Sequence, residues 1–362
     1  MQEFELQGVY KDIAAVQEAQ QDALLSQANV EGVGIGHKIS QGVDTGEPCV
    51  SVFVSQKLSP ALLGPDESIV PTLGKFKTDV VETGIIFAGE AVAKARKKTK
   101  KPAPRKVARP PTPLPTDWAV TPGAPDYVEL EADFLEEEIG IETLKTRVRP
   151  AEGGYSVGHY RITAGTIATS VFDRAPYPGI PQKYYILSNN HVLANSNLAR
   201  IGDPILQPGR VDGGRYPADM IGRLSRFVPI QFGGPLNYVD AAVAEGDFHD
   251  LNREIFWIGY VKGVRFLTRV GDIVQKTGRT TNYTTGRVTN INATVNVNYG
   301  GGRVARMARQ IVTTPMSAGG DSGSLLCDMD GNAVGLLFAG SSRVTIHNHI
   351  MYVQNLLGIR VA

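Results

Sequence analysis

After Pro150 the chain is punctuated by glycine at short intervals, and this limits what it can fold into more than any other feature. Strand-like runs at 158–170, 183–188, 221–228, 288–297 and 304–313 are separated by turn signals. These recur at Gly213-Gly214, Gly233-Gly234, Gly300-Gly301-Gly302 and Asp330-Gly331-Asn332, with little helical periodicity between them. Many short strands over about 200 residues predict a β-sandwich or a pair of β-barrels.

Ahead of that region the pattern differs. Leu6, Ile13, Val16, Leu24 and Leu25 fall on one face among polar residues and predict an amphipathic helix over 6–27. Strands are expected at 30–39, at 48–56, where Val50, Val52 and Val54 alternate, and at 75–81. Together they suggest a small α+β unit over 1–92. Gly32, Gly34 and Gly36 imitate part of a dinucleotide loop, but no amphipathic helix follows, so the reading is a strand that another chain segment approaches closely. No cofactor site is assigned.

Residues 93–149 read as a connector. Nine lysines and arginines from Lys94 to Arg109 run into Pro110, Pro111, Pro113 and Pro115, a self-repelling, proline-stiffened composition. No aromatic residue interleaves the basic run to stack bases, so nucleic acid is not the expected partner. Between Asp126 and Glu142 the sign reverses, and this acidic segment is expected either to fold back on the basic run or to form a short surface helix.

At 362 residues, 42% hydrophobic and 20% charged, the chain has the composition of a soluble globular protein of more than one unit, and its net charge of +1 offers no general attraction to polyanions. The two cysteines, Cys49 and Cys327, are too few and too far apart for a disulfide framework. No run approaches the roughly 20 apolar residues of a membrane span, and the first residues lack a basic and apolar leader pattern. The expectation is a cytoplasmic protein without membrane contact.

Within the strand-rich region, 150–362, three stretches carry candidate chemistry. Ser322 lies in Ala318-Gly319-Gly320-Asp321-Ser322-Gly323-Ser324, whose glycines allow the tight turn a nucleophilic serine needs and also suit an ordinary loop between strands. His191 follows the strand-like Tyr184-Tyr185-Ile186-Leu187-Ser188 and a polar Asn189-Asn190, a place where a general base can face a cleft. Asp240 sits in the apolar Val239-Asp240-Ala241-Ala242-Val243, where a carboxylate needs a strong partner such as a histidine N–H. His347 and His349 lie two apart on a strand, but without a further ligand nearby no metal site is expected.

The order His191, Asp240, Ser322 is that of the chymotrypsin arrangement, and over about its last 210 residues the chain resembles the trypsin-like serine peptidases. Asn189-Asn190-His191-Val192 is similar to the high-temperature-requirement branch. The tract Lys276-Thr277-Gly278-Arg279-Thr280-Thr281, followed by Thr284-Thr285-Gly286-Arg287-Val288, more closely resembles the plant narrow-leaf type and its bacterial relatives, as does Ser324.

The resemblance implies a mainly β, chymotrypsin-like double barrel and a serine endopeptidase working through an acyl-enzyme. Ser322 would be nucleophile, His191 base and Asp240 its orienter, with the backbone N–H groups of Gly320 and Ser322 as oxyanion hole. Met316 would lie at the base of the primary specificity pocket, and Phe338, Ala339 and Gly340 would pair with substrate backbone. No acid occupies that base, so a small or apolar residue is expected before the cleaved bond rather than lysine or arginine. Partners would be a peptide substrate and further copies of the chain in a homo-oligomer. The alternative is a non-catalytic or self-processing protein of the same fold, acting as a binding module. Asp321 cannot pair with a newly cut N-terminus as in trypsin-like zymogens, because at least 150 residues precede the catalytic unit; an arginine or backbone donors are expected instead.

Overall fold

The computed structural model describes residues 6–64, 68–89, 144–174, 181 and 183–362. The basic run and the acidic segment expected within 93–149 lie outside these residues.

The molecule is mainly β, and two barrel-like sheets dominate it. In one, strand Asn282–Asn298 pairs with Ile273–Gly278, which pairs with Leu325–Asp328, and the ladder continues through Asn332–Gly340 and Thr345–His349 to Val304–Thr313. Val304–Thr313 pairs back onto Asn282–Asn298, with Asn298 opposite Val304 and Val288 opposite Thr313, so the ring closes on itself. Closure removes the unpaired edges that an open sheet would expose. The other sheet has eight strands and includes Ser156–His159, Tyr184–Ser188, Met220–Phe227 and Ala242–Gly246. Its two ends are drawn together by residues 167–169: the Ile167 N–H donates to the Tyr155 carbonyl and the Ala168 N–H to that of Leu187.

The helix expected over 6–27 forms at Val9–Leu25, and the three N-terminal strands form at Val30–Ser40, Val43–Val54 and Phe76–Glu82. They do not make a sheet of their own. Val30–Ser40 pairs antiparallel with Asn282–Asn298, Gly32 opposite Val295 and Gly36 opposite Asn290, so the segment read as a separate small unit continues the closed sheet. The close approach read from its glycines is real: a Cβ on Gly36 would come within 2.3 Å of Asn290 Nδ2. The apolar core mixes both parts, with Ile13, Val33, Ile35 and Val50 packed against Val274, Val288, Ile311 and Leu326. Burying each such side chain contributes about 1.5–3 kcal/mol, which is why the helix and the three strands stay docked on the closed sheet.

The run 158–170 is not one strand. It breaks into Ser156–His159, Gly165–Thr166 and Ser170–Asp173, and the intervening corner carries Thr166 into the space between the two sheets.

Candidate active site

His191 and Asp240 come from the eight-stranded sheet. The strand Tyr184–Ser188 ends in a short helix, Asn190–Leu193, so His191 stands on a helical turn at the strand's tip. Asp240 lies just before Ala242–Gly246, which pairs with Tyr184–Ser188 with Ala242 opposite Ser188. Adjacent strands therefore bring the two side chains together: His191 Nδ1 lies 2.6 Å from Asp240 Oδ2, and the His191 backbone N–H donates to Oδ1 at 3.1 Å.

Asp240 is fully buried and its charge is met by further donors. The Tyr299 hydroxyl donates to Oδ2 at 2.8 Å. Its peptide is pinned too: the Asp240 N–H donates to Asn348 Oδ1 at 2.9 Å, and Asn189 Nδ2 donates to the Asp240 carbonyl at 2.7 Å. Burial first, and the Asp240 charge second, push the Tyr299 hydroxyl well above its ordinary pKa, so it stays a donor at any physiological pH. With Nδ1 committed to a carboxylate, the neutral imidazole carries its lone pair on Nε2. That Nε2 is buried and has no hydrogen-bond partner among the described residues.

Ser322 comes from the closed sheet, in the turn that precedes Leu325–Asp328, and is 6% exposed. Its loop is held from both sides. The Thr166 N–H donates to the Ser322 carbonyl at 2.8 Å, and the Thr166 hydroxyl donates to the Gly320 carbonyl at 2.9 Å. The Thr280 hydroxyl donates to the Gly319 carbonyl at 2.9 Å, and the Ser324 hydroxyl donates to the Asp321 carbonyl at 2.6 Å. A trans peptide points its N–H opposite to its C=O, so fixing the carbonyls of Gly319 and Asp321 turns the N–H groups of Gly320 and Ser322 the other way. Neither N–H donates to a described residue.

Asp321 has the partners that sequence reasoning left open, and the charged one is a lysine rather than an arginine. Lys276 Nζ lies 3.3 Å from Asp321 Oδ2, with both side chains fully buried. Oδ2 also accepts from the Thr281 hydroxyl (2.7 Å) and the Ala318 N–H (2.9 Å), and Oδ1 from the N–H groups of Thr280 (2.8 Å) and Thr281 (3.2 Å). Burial lowers the Lys276 pKa, and Asp321 opposes that shift. Within the same tract, a Cβ on Gly278 would lie 2.6 Å from both Asp321 Oδ1 and Ser324 Oγ. The Lys276–Thr281 tract is thus the cradle of the serine loop.

Of the residues expected to bind substrate, Ala339 and Gly340 line the cleft beside Ser322, together with Ser317, Ala318, Gly319 and Ser341. The side chains of Met316 and Phe338 lie in the core and outside that lining, Met316 in the cluster with Val288 and Ile311 and Phe338 in the cluster with Ile346. His347 accepts or donates at 3.0 Å with the Thr313 hydroxyl, and His349 caps the helix Ile350–Leu357 by accepting the Met351 N–H. Tyr299, Asn348 and Thr166 escaped sequence reading: each is distant in sequence from the residue it holds, and no local pattern marks it.

No protein-family model matches the chain. Over 79 residues, 22% of this chain and 34% of the relative, it is 46% identical to glutamyl endopeptidase 2 of Streptomyces griseus, so it spans about a third of the length of that curated relative. Among solved structures it is similar to Thermobifida fusca protease A (15% identity, TM-score 0.40, covering 58% of this chain and 96% of that one). It is similar as well to a Nocardiopsis protease (18%, TM-score 0.42, 58% and 97%). A third is a glutamic acid-specific serine protease described as using a histidine triad in substrate binding (19%, TM-score 0.40, 58% and 98%). The proteins named here are all described as proteases.

Proposed function

We propose that the chain is a serine endopeptidase. Ser322 Oγ attacks the carbonyl of the scissile peptide while His191 Nε2 takes its proton, and the proton then passes to the leaving amine as the acyl-enzyme forms. Asp240 holds the Nδ1–H tautomer and stabilises the imidazolium. Water repeats the sequence to release the acid. The developing oxyanion is met by the N–H groups of Gly320 and Ser322, each lowering the barrier by about 3 kcal/mol.

The observation that carries this reading is the buried His191–Asp240 pair at 2.6 Å, which fixes Nδ1 on a carboxylate, together with a serine loop whose Gly320 and Ser322 N–H groups donate to no described residue. Its test is labelling with a fluorophosphonate. Wild type should be modified and Ser322→Ala should not; a wild type that resists labelling under every condition would sink the proposal.

For the residue before the cleaved bond we propose a small, uncharged side chain. The described lining around Ser322 is alanine, glycine and serine with Phe87 and Leu337 and no charged group, so neither a lysine nor the glutamate named for the curated relative would find a counter-charge. A larger cavity of about 620 Å³ borders His191 and carries Arg161, Arg210 and Arg303. None of the three pairs with a carboxylate among the described residues, which favours substrates acidic elsewhere near the cut. A peptide library read by mass spectrometry should be enriched accordingly.

The narrow-leaf likeness of the 276–288 tract extends the proposal to a homo-oligomer, which light scattering on purified protein tests: a monomer at micromolar concentration removes this part. A cytoplasmic site of action fits two unbonded buried thiols, Cys49 and Cys327, which burial pushes up to about 11 and about 12 and so keeps unreactive. Cell fractionation tests it. The second reading, a binding module of the same fold, is favoured by the unclosed link between Ser322 and Nε2, and the same labelling experiment separates the two.

A further inference from the structure

The strand expected to pair with substrate is already paired. Ala339 and Gly340 lie opposite Ala88 and Phe87 in an antiparallel ladder, which is the arrangement a bound peptide would adopt along that strand. The pairing is reinforced on the other side, where the Asn298 N–H donates to the Ile86 carbonyl at 2.9 Å and Phe87 lies parallel to Asn298. Ile86 is fully buried and Ala88 is 6% exposed, both packed with Phe338, Ala339 and Tyr299. Upstream, the Ser341 hydroxyl donates to the Thr83 carbonyl at 2.5 Å and Arg343 pairs with Glu82 at 2.8 Å.

Gly89 follows, and it borders both halves of the site. It lines the pocket that holds Ser322 as well as the cavity that holds His191. A Cβ built on it would lie 3.1 Å from His191 Cδ2 and 3.3 Å from Nε2, so its backbone rests against the edge of the imidazole that must reach the serine. Only about 30 Å³ is left free beside Ser322, room for about one or two waters.

We propose that residues 86–89 are a built-in pseudosubstrate: they occupy the substrate-pairing edge at Ala339–Gly340, crowd the His191 Nε2, and hold the site inactive until they are displaced. This rests on the endopeptidase reading of the same site. The segment imitates a substrate up to Ala88 and departs from it at Gly89. A peptide about to be cut runs extended through the reacting bond, whereas Gly89 has φ +62°, which turns the chain out of the strand at the catalytic residues. Being tethered, the segment competes at an effective concentration on the order of millimolar, so a free peptide of micromolar affinity meets a largely filled cleft.

The experiment places a charge in the buried ladder with Ala88→Asp, and follows folding by thermal denaturation. Fluorophosphonate labelling of Ser322 should then run at least about tenfold faster than in the wild type. A second readout needs no catalysis: a fluorescein-labelled peptide of residues 82–89 should bind Ser322→Ala with Ala88→Asp and not Ser322→Ala alone, read by anisotropy. Equal labelling rates together with no gain of peptide binding in a folded variant overturn the inference. Gain of peptide binding without labelling of any form would leave 86–89 as the occupant of the Ala339–Gly340 edge but remove the endopeptidase reading, and with it the pseudosubstrate role.

If Ala88→Asp does not fold, hydrogen exchange on the unaltered protein decides. Amides of Phe87 and Ala88 should be protected at rest and should exchange faster once a peptidyl phosphonate occupies Ser322; unchanged protection in the labelled protein overturns the inference. Intact mass is the remaining check, because a Ser322-dependent break after Gly89 would make the segment a substrate and not an inhibitor.

Discussion

Two buried aspartates flank the site, and they are satisfied in opposite ways. Asp240 receives only groups without a fixed charge: His191 Nδ1–H, the His191 backbone N–H and the Tyr299 hydroxyl. Asp321 receives Lys276 and four further donors from Ala318, Thr280 and Thr281. Both carboxylates are fully buried. The difference lies in when the compensating charge is present. Around Asp240 it arrives only when His191 takes a proton, so the pair favours a transient cation. Around Asp321 it is permanent, so the pair favours one backbone arrangement. Under the proposed reaction, one residue type would serve proton transfer in one place and loop geometry in the other, according to whether its neighbour can gain a proton.

Substitutions at each acid's partners test this contrast. Asp240→Asn should leave the fold intact and lower kcat on a peptide substrate by on the order of 10⁴, because an amide can stabilise the wrong histidine tautomer. A loss under tenfold would break the assignment of Asp240 to proton transfer. Lys276→Met should destabilise the protein by about 3–5 kcal/mol, since it strands a buried carboxylate, and urea denaturation should show it. Pairing that change with Asp321→Asn should recover most of the loss. If the single variant is as stable as wild type, Asp321 is held by its neutral donors alone and the contrast fails.

Tyr299→Phe removes one donor to Asp240 and should cost about 2 kcal/mol, seen mainly in kcat rather than in stability if the charge of Asp240 matters most when His191 is protonated.

The smallest effect concerns pH. Strand Thr345–His349 runs past both acids: Asn348 accepts from the Asp240 N–H, while His347 is influenced by Lys276. Burial first, then Lys276, pulls His347 down to about 3, and burial pulls His349 down to about 4. The unfolded chain takes up these protons near pH 6.5 and the folded one does not, so the stabilisation is whole above about 6.5 and is lost as pH falls toward the folded values. At pH 5.5 unfolding free energy should be lower by about 1 kcal/mol for each histidine, and His347→Asn should flatten part of that slope. A stability independent of pH over this range would show that the strand is not sealed between the two acids.

Much of the site could be read from the chain before its structure. His191, Asp240 and Ser322 each stand in a short local pattern, a strand tip, an acid in an apolar run and a glycine turn, and their order added the rest. The close-approaching glycines at 32–36 were legible for the same reason, since missing side chains act over a few residues. Tyr299, Asn348 and Thr166 were not, because a single hydroxyl or amide carries no pattern. The N-terminal strands looked like a unit of their own because alternation reveals that a segment is a strand but is silent on which strand it pairs with.

By itself, then, the order of residues determined a mainly β chain and singled out a serine, a histidine and an aspartate as candidates for acyl transfer. Only the tertiary structure decided that Lys276 neutralises Asp321, that Tyr299 shares Asp240 with His191, and that residues 86–89 lie along Ala339 and Gly340. The physical reason is the range of the forces involved. Turn and strand preferences are settled between neighbours, whereas the partner of a buried charge or of a strand edge is whatever the closed fold brings to it, as the sequence separation of 45 between Lys276 and Asp321 shows.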